Sequence, residues 1–112
     1  MNWSIRYLPE AEEDLQKLDG SQSRKVAKAI DRTLTNPLPR SEGGYGIELG
    51  HKGGINLTNC LEIKLRGEGL RVIYKLIRTE TEMLVIIVGL REDEKVYDKR
   101  VGTYHTARTL RV

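Results

Sequence analysis

Two blocks of sequence decide the fold of this chain: L-E-I-K-L-R-G-E-G-L-R-V-I-Y-K-L at residues 61–76, and M-L-V-I-I-V-G-L-R-E-D-E-K-V-Y at residues 83–97. The first block alternates apolar and charged side chains on both sides of the glycine-rich turn at 67–69, a period that is typical of a β-hairpin. The second block begins with a run, 83–90, that is apolar except for one glycine. Such a run predicts a third strand that is covered on both faces.

The register of the hairpin follows from keeping its apolar residues on one face. A four-residue loop that starts at Arg66 pairs Lys64 with Arg71 and pairs apolar residues with one another. A three-residue loop would instead pair Leu65 with Arg71 and mix the two faces. If the third strand returns antiparallel to the second, Arg91 emerges at the end where Arg71 lies. The sequence therefore predicts that these cations meet at one end of the sheet.

The N-terminal third of the chain predicts one strand and two helices. Residues 3–8 alternate as a short strand, and Pro9 suits the first turn of a helix whose C-terminal cap is Asp19-Gly20. Ser21 or Ser23 can cap a second helix, which runs to the Asn-Pro pair. Because the connection is very short, the two helices are expected to pack as an antiparallel hairpin.

The remaining segments complete the predicted architecture. Six glycines interrupt residues 37–58, which we expect to form a flexible flap with one extended piece near 45–49. Residues 92–100 have a helical composition, and the tail after about 103 is expected to fray. The predicted fold is a single α+β domain over 1–112: an N-terminal strand, an antiparallel helix hairpin on a small, mostly antiparallel sheet, and a short C-terminal helix.

Composition limits the classes of function. The 112 residues carry a net charge of +3 and a sequence pI near 9.1, which permits binding to nucleic acid without requiring it. A single cysteine, Cys60, allows no internal disulfide and fits a reducing compartment. The chain contains neither an apolar run long enough to span a bilayer nor a signal-peptide core, so a cytoplasmic location is expected. His51 and His105 are isolated, so no metal site or cofactor is expected.

Three motifs of this chain resemble those of the RelE/ParE toxins of bacterial toxin–antitoxin pairs. They are K-L-R-x-x-G-x-R-x-x-Y at 64–74, V-G-x-R-E at 88–92 and V-Y at 96–97. The resemblance also covers the order of elements from residue 3 to about 97. In the RelE branch, whose members enter the ribosomal A site and cleave the codon there, it implies an active site at Lys64, Arg71, Arg91 and Tyr97.

The resemblance suggests a role for each residue in RNA cleavage by the neighbouring 2′-hydroxyl. Arg71 and Arg91 are expected to bind the phosphate, because guanidinium groups match phosphate oxygens in bidentate fashion. Lys64 is the candidate general base or an electrostatic helper, and Tyr97 could stack on a base or orient the hydroxyl. No metal ion is needed for these steps. Further phosphate contacts are expected from Arg66, Lys75 and Lys95.

One position departs from the RelE pattern. Glu62 stands where RelE-type enzymes tend to carry a second lysine, and on the predicted register it faces the same side as Lys64. Its carboxylate could serve as the general base, which would take that role from Lys64. It could equally form an ion pair with a neighbouring cation. The sequence leaves both roles open.

The resemblance also implies partners and alternatives. A ribosome-dependent nuclease of this family would bind the ribosome and mRNA, would be held inactive by a cognate antitoxin protein, and could join a DNA-binding complex through that antitoxin; no membrane is involved. The ParE-like alternative is a DNA gyrase inhibitor without nuclease activity. A third alternative is a degenerate member that only takes part in a repressor complex. Taken one by one, cations at a strand edge are most often a solvated face.

Overall fold

A computed structural model describes residues 2–49, 51–52, 55–56 and 60–90 of the chain. In chain order its strands are β1 Ser4–Tyr7, β2 Ile47–Glu48, β3 His51–Lys52, β4 Ile55–Asn56, β5 Cys60–Leu65, β6 Leu70–Ile77 and β7 Glu82–Leu90. Five strands form one sheet in the order β1-β7-β6-β5-β2, in which only the β1–β7 pair is parallel. Strands β3 and β4 form a separate antiparallel pair. The predicted α+β class and mostly antiparallel sheet are confirmed.

Two helices follow β1: α1 spans Pro9–Gln16 and α2 spans Gly20–Leu34. The predicted C-terminal cap of α1 and the predicted N-cap of α2 are wrong. Asp19 does not end the first helix but begins the second, because its carboxylate accepts a hydrogen bond from the Gln22 backbone N–H at 2.8 Å while the Gln22 side chain accepts from the Asp19 N–H. This reciprocal capping box starts α2 at Gly20, so neither Ser21 nor Ser23 acts as the N-cap.

The core lies on both faces of the sheet. On the face that carries the helices, α1 packs on β7 and α2 on β5, around buried residues that include Val26, Ile30, Val72 and Tyr74. The opposite face has its own buried apolar cluster of Leu49, Cys60, Ile73, Leu84, Ile86 and Ile87. A β-bulge at Ile73/Tyr74 shifts the β6–β7 register. Strand β7 is therefore buried on both faces, as its apolar sequence predicts.

The predicted hairpin register is confirmed. Lys64 lies opposite Arg71, and Leu65 lies opposite Leu70, on antiparallel β5 and β6. The four-residue connection consists of a 3-10 turn, Arg66–Glu68, and Gly69, whose φ of 64° is the left-handed conformation that glycine adopts without strain. Strand β7 returns antiparallel, with Leu90 opposite Leu70. The turn between β5 and β6 and the C-terminal end of β7 therefore lie at the same end of the sheet.

The first part of the glycine-rich segment is more ordered than a flap. The Tyr74 hydroxyl donates to the Pro37 carbonyl at 2.8 Å and fixes the chain as it leaves α2. A turn then closes through a hydrogen bond from Gly46 N–H to Leu38 O at 3.0 Å. A Cβ at Gly44 would lie 2.0 Å from that same carbonyl oxygen, so the turn requires glycine. The predicted extended piece is present as β2, but the surrounding turn is hydrogen-bonded rather than unsupported.

Several predictions lie outside the described residues. They concern the helix at 92–100, the tail after about 103, and part of the second half of the glycine-rich segment. Among the residues that are described, neither helix has the length and apolar character needed to cross a membrane.

Candidate functional site

The candidate site lies at the end of the β5–β6 hairpin, on the sheet face opposite the helices. Lys64 and Arg71 are cross-strand partners there, and Glu62 precedes Lys64 by two residues on β5. Residues two apart on a strand share a face, and opposite residues of an antiparallel pair share one too. The pleat and the register therefore bring these three side chains together, as the sequence predicts.

The three side chains form a compact group of opposite charges. An Nη1 atom of Arg71 lies 3.0 Å from Oε2 of Glu62, and Nζ of Lys64 lies 3.8 Å from Oε1 of the same carboxylate. Glu62 is 1% exposed and Arg71 is 7% exposed, whereas the Lys64 side chain is 24% exposed. We call Glu62, Lys64 and Arg71 the hairpin triad. Its carboxylate is buried beneath two cations, and only the lysine has substantial access to solvent.

The triad is suited to hold an anion. Glu62 fixes the guanidinium of Arg71 in one orientation through a charge-assisted contact, and a guanidinium has five N–H donors, more than one carboxylate can occupy. Two cations and one carboxylate leave the group with a net positive charge. A phosphate that reached this end of the hairpin would meet a guanidinium whose position is already set, which is the arrangement that stabilises developing negative charge.

The other predicted phosphate-binding residues differ in position. Arg66 is exposed at the start of the hairpin turn and lines a groove together with Lys64. Lys75 lies opposite Cys60, four residues along β6 from Arg71 and hence about 13 Å from it. It lines a separate cavity of about 700 Å³ with Glu42 and Glu48. The structure thus brings Arg66 next to the triad but does not bring Lys75 there.

Arg91, Lys95 and Tyr97 lie outside the described residues. Strand β7 ends at Leu90, and its partner Leu70 directly precedes Arg71 on β6. The described end of β7 therefore lies beside the start of β6, and the place of Arg91 stays a prediction.

A groove beside the triad contains residues that the sequence analysis did not single out as functional. It has a volume of about 340 Å³ and lies between α2, the turn before β2, and β5. Arg32, Arg40 and Tyr45 line it, together with Lys64 and Arg66. The sequence signals this groove only through Arg32, one of the exposed basic residues of α2 with Arg24, Lys25 and Lys28. The turn that contains Arg40 and Tyr45 has no periodic pattern.

Cys60 is a buried thiol rather than a nucleophile. Its side chain is 1% exposed, and burial raises the pKa of the thiol above its ordinary value, although the nearby Lys75 ammonium acts in the opposite direction. A thiol with a raised pKa stays protonated near neutral pH and reacts slowly. Within the described parts of the chain, no group of three or more histidine, cysteine, aspartate or glutamate residues is arranged to hold a metal ion.

The end of β7 has a support from the first helix. Strand β1 pairs with β7 from Glu82 as far as Val85. Asp14 of α1 supplies an acceptor, since its Oδ2 receives a hydrogen bond from the Val88 N–H at 3.0 Å. This contact helps to fix the strand two residues before its described end.

Comparisons with known proteins agree with this architecture. Residues 5–97 match the family model of the ParE toxin of the type II toxin–antitoxin system parDE. The mRNA interferase toxin RelE of Escherichia coli K12 is 40% identical over 78 residues, which are 70% of this chain and 80% of that protein.

Two solved structures of E. coli RelE extend the comparison. A double mutant of the toxin in the free state has a TM-score of 0.72 at 25% identity, covering 92% of this chain and 98% of that one. The same mutant bound to a peptide of the antitoxin RelB has a TM-score of 0.65 at 25% identity, with coverages of 88% and 94%.

Proposed function

From the premise that this chain belongs to the RelE/ParE superfamily and is a RelE-like toxin of a type II toxin–antitoxin system, we propose that it is an mRNA endonuclease that acts on the ribosome and inhibits translation. The hairpin triad carries this proposal, because Lys64 and Arg71 occupy motif positions of the RelE branch and lie in contact range of one carboxylate. The 40% identity to a protein named as an mRNA interferase supports it.

The proposed reaction is cleavage of RNA by its own 2′-hydroxyl. The 2′-oxygen loses its proton to a base and forms a bond to phosphorus, while the bond from phosphorus to the 5′-oxygen breaks and that oxygen takes up a proton. Negative charge accumulates on the phosphate oxygens between these events. Arg71 would stabilise this charge through the N–H donors of the guanidinium that Glu62 orients. From the family resemblance, Arg91 would assist Arg71 and Tyr97 would contact a base or the hydroxyl.

The geometry favours different roles for the two candidate bases. Glu62 is 1% exposed and lies 3.0 Å from Arg71, so its carboxylate is placed to position the guanidinium rather than to reach an RNA hydroxyl. Lys64 is the solvent-accessible member of the triad and lies at the mouth of the groove. We therefore assign the proton transfer to Lys64 and a positioning role to Glu62. General base catalysis of this kind contributes about 10²–10⁴-fold to the rate.

Mapping of mRNA 5′ ends after brief induction of the chain in cells tests this function. We expect new ends at regular codon positions within translated messages. Glu62→Gln separates the two roles, because it keeps the shape of the side chain but loses the charge that holds Arg71. A positioning role predicts a lower cleavage rate with the limb of the pH profile that reports the base still present, whereas loss of a base removes that limb. Intact messages after induction of the unmodified chain would refute the nuclease function.

DNA gyrase inhibition is a second candidate, since the matching family model is that of the ParE toxin. The two candidates differ in what the chain should do to purified components. A gyrase inhibitor should block supercoiling of a relaxed plasmid and leave ribosome-bound mRNA intact, and Arg71→Lys should matter little to it. A nuclease should leave supercoiling unaffected and cut ribosome-bound mRNA, and Arg71→Lys should weaken that cleavage.

An antitoxin is the partner that the family implies. The mutant E. coli RelE described above has been solved with a peptide of its antitoxin RelB bound. We propose that a cognate antitoxin of this chain inhibits it by covering the triad or its approach. Expression of the toxin should then be tolerated only together with that antitoxin.

A further inference from the structure

The groove between α2 and the turn before β2, hereafter the α2 groove, adjoins the hairpin triad. Arg32, Arg40, Tyr45 and Arg66 line it, and Lys64 and Glu62 belong to both its wall and the triad. An RNA strand that left the triad could therefore continue around the edge of β5 into the groove. This continuity is the first observation that connects the groove to a chain-like ligand.

The three arginines of the α2 groove have no carboxylate partner among the described residues. Within the described part of the chain, none of Arg32, Arg40 and Arg66 forms an ion pair, and all three are exposed. Three exposed cations elsewhere are paired with carboxylates: Arg6 with Glu82, Lys25 with Glu68, and Arg78 with Glu42. The groove thus concentrates uncompensated positive charge, which suits a ligand with several negative charges.

An aromatic ring lies among these cations. Tyr45 is 46% exposed and is the one large hydrophobic side chain of the described residues that is exposed to this extent. The Arg32 guanidinium lies 5.0 Å from the centroid of its ring. Planar groups on which bases can stack, set beside fixed cations, are the usual elements of single-stranded nucleic-acid sites. An acidic peptide would use the cations but would not need the ring.

The wall that carries Tyr45 is held in place by backbone hydrogen bonds. The Tyr45 N–H donates to the Asn36 carbonyl at 3.0 Å, and the Arg40 N–H donates to the Gly46 carbonyl at 2.9 Å. The Tyr74 hydroxyl fixes the same turn to the sheet through Pro37. A preorganised wall loses little conformational entropy when a ligand binds.

We propose that the α2 groove binds the single-stranded RNA segment adjacent to the scissile phosphate, with a base stacked on Tyr45 and with Arg32, Arg40 and Arg66 on the flanking phosphates. This inference rests on the proposed nuclease function and names the path of its substrate. Specificity for single-stranded RNA follows from the stacking platform, since paired bases cannot present their faces to a side chain.

Fluorescence anisotropy with the full chain tests the path without requiring cleavage. The probe is a labelled 2′-O-methyl RNA of about ten nucleotides, a length that a groove of this kind can bind, and labelled polyglutamate serves as an acidic peptide. Tyr45→Ala should weaken RNA binding about tenfold and leave polyglutamate binding unchanged. Arg40→Gln should weaken RNA binding and reduce the slope of log affinity against log salt by about 0.7. Arg24→Gln is the matched control, because Arg24 is an exposed cation on the same helix that does not line the groove.

The outcomes separate this inference from the function on which it rests. If the unmodified chain does not bind the RNA, or if Tyr45→Ala and Arg40→Gln bind it like Arg24→Gln, the path is wrong. Equal losses for RNA and polyglutamate would assign the groove to an acidic protein segment instead, and would also overturn the inference. Cleavage of mRNA on ribosomes by the unmodified chain is measured separately. Its absence would refute the nuclease function whatever the anisotropy shows.

Discussion

The two faces of the five-stranded sheet use the same strands but bury different chemistry. The face beneath α1 and α2 is apolar, and the buried hydroxyl of Tyr74 has a backbone partner there. The opposite face is apolar over Ile73 and β7 but carries Glu62 and Arg71 at the hairpin end. A buried ion pair gains little stability over an apolar pair of the same volume. The first face is therefore explained by folding alone, whereas the buried charges of the second face agree with the phosphate-binding role proposed for them.

Arg71→Ala, on the charged face, should have the largest effect on both stability and cleavage. It leaves the Glu62 carboxylate buried without its nearest cation, so we expect a loss of about 3–5 kcal/mol in the free energy of unfolding together with loss of cleavage. The double variant Glu62→Leu/Arg71→Met should recover most of that stability but no cleavage. Urea denaturation and mRNA 5′-end mapping measure the two quantities. A double variant as unstable as Arg71→Ala would mean that the pair stabilises the fold.

A truncation on the helix face should affect stability alone. Met83 is fully buried in the cluster beneath the helices, and Met83→Ala should cost about 2–5 kcal/mol through the cavity that it leaves. Cleavage per folded molecule should be unchanged at a temperature where the variant remains folded. The volume-conserving Met83→Leu is the control and should cost less than about 1.5 kcal/mol. A specific loss of cleavage in Met83→Ala would show that the two faces are not independent.

Tyr74→Phe tests the polar contact of the helix face and should have the smallest effect. Loss of the hydrogen bond to Pro37 should cost about 1 kcal/mol near neutral pH. Burial raises the pKa of Tyr74 above its ordinary value of 10.0. Above that pH the Tyr74 hydroxyl ionises in the unfolded chain but stays neutral in the folded chain. The stability that the neutral, buried Tyr74 contributes is therefore present below about pH 10 and is lost as the pH rises.

The pH dependence supplies the measurement for Tyr74. Urea midpoints between about pH 8 and about pH 11 should fall less steeply for Tyr74→Phe than for the unmodified chain. Some slope should remain, because burial also raises the pKa values of Tyr7 and Cys60. If the urea midpoints of both proteins fell equally with rising pH, ionisation of Tyr74 would not be the cause of the loss of stability at alkaline pH.

The parts of the fold that could be predicted from the sequence are those in which apolar and polar residues alternate regularly within a short segment. The pairing of Lys64 with Arg71 followed from alternation and from a turn containing glycine, both of which are visible in a short stretch. The cap of α2 was missed because Asp19 can in principle end one helix or begin the next, and only the reciprocal bond with Gln22 decides between them. Local propensities of neighbouring residues overlap too closely to make that choice.

The candidate site also has a part that could be predicted from the sequence and a part that could not. The sequence placed Glu62 beside Lys64 but could not tell an ion pair from a base, since that choice depends on burial. The α2 groove was not predicted at all. Arg40 and Tyr45 lie beside Arg32 in a turn that is fixed to β6 by a hydrogen bond between residues 37 positions apart in the chain. Contacts of that kind leave no pattern in a single sequence.

The hydrogen bond between Asp14 and the Val88 N–H also bears on self-association. A strand that extends past its neighbour exposes a row of donors and acceptors on which another chain can add a strand. Asp14 occupies one of those donors with a carboxylate, which has no donor to offer in return and repels the carbonyl oxygens of an incoming strand. The outer side of β7 is therefore protected against sheet-to-sheet polymerisation at the point where β1 no longer covers it.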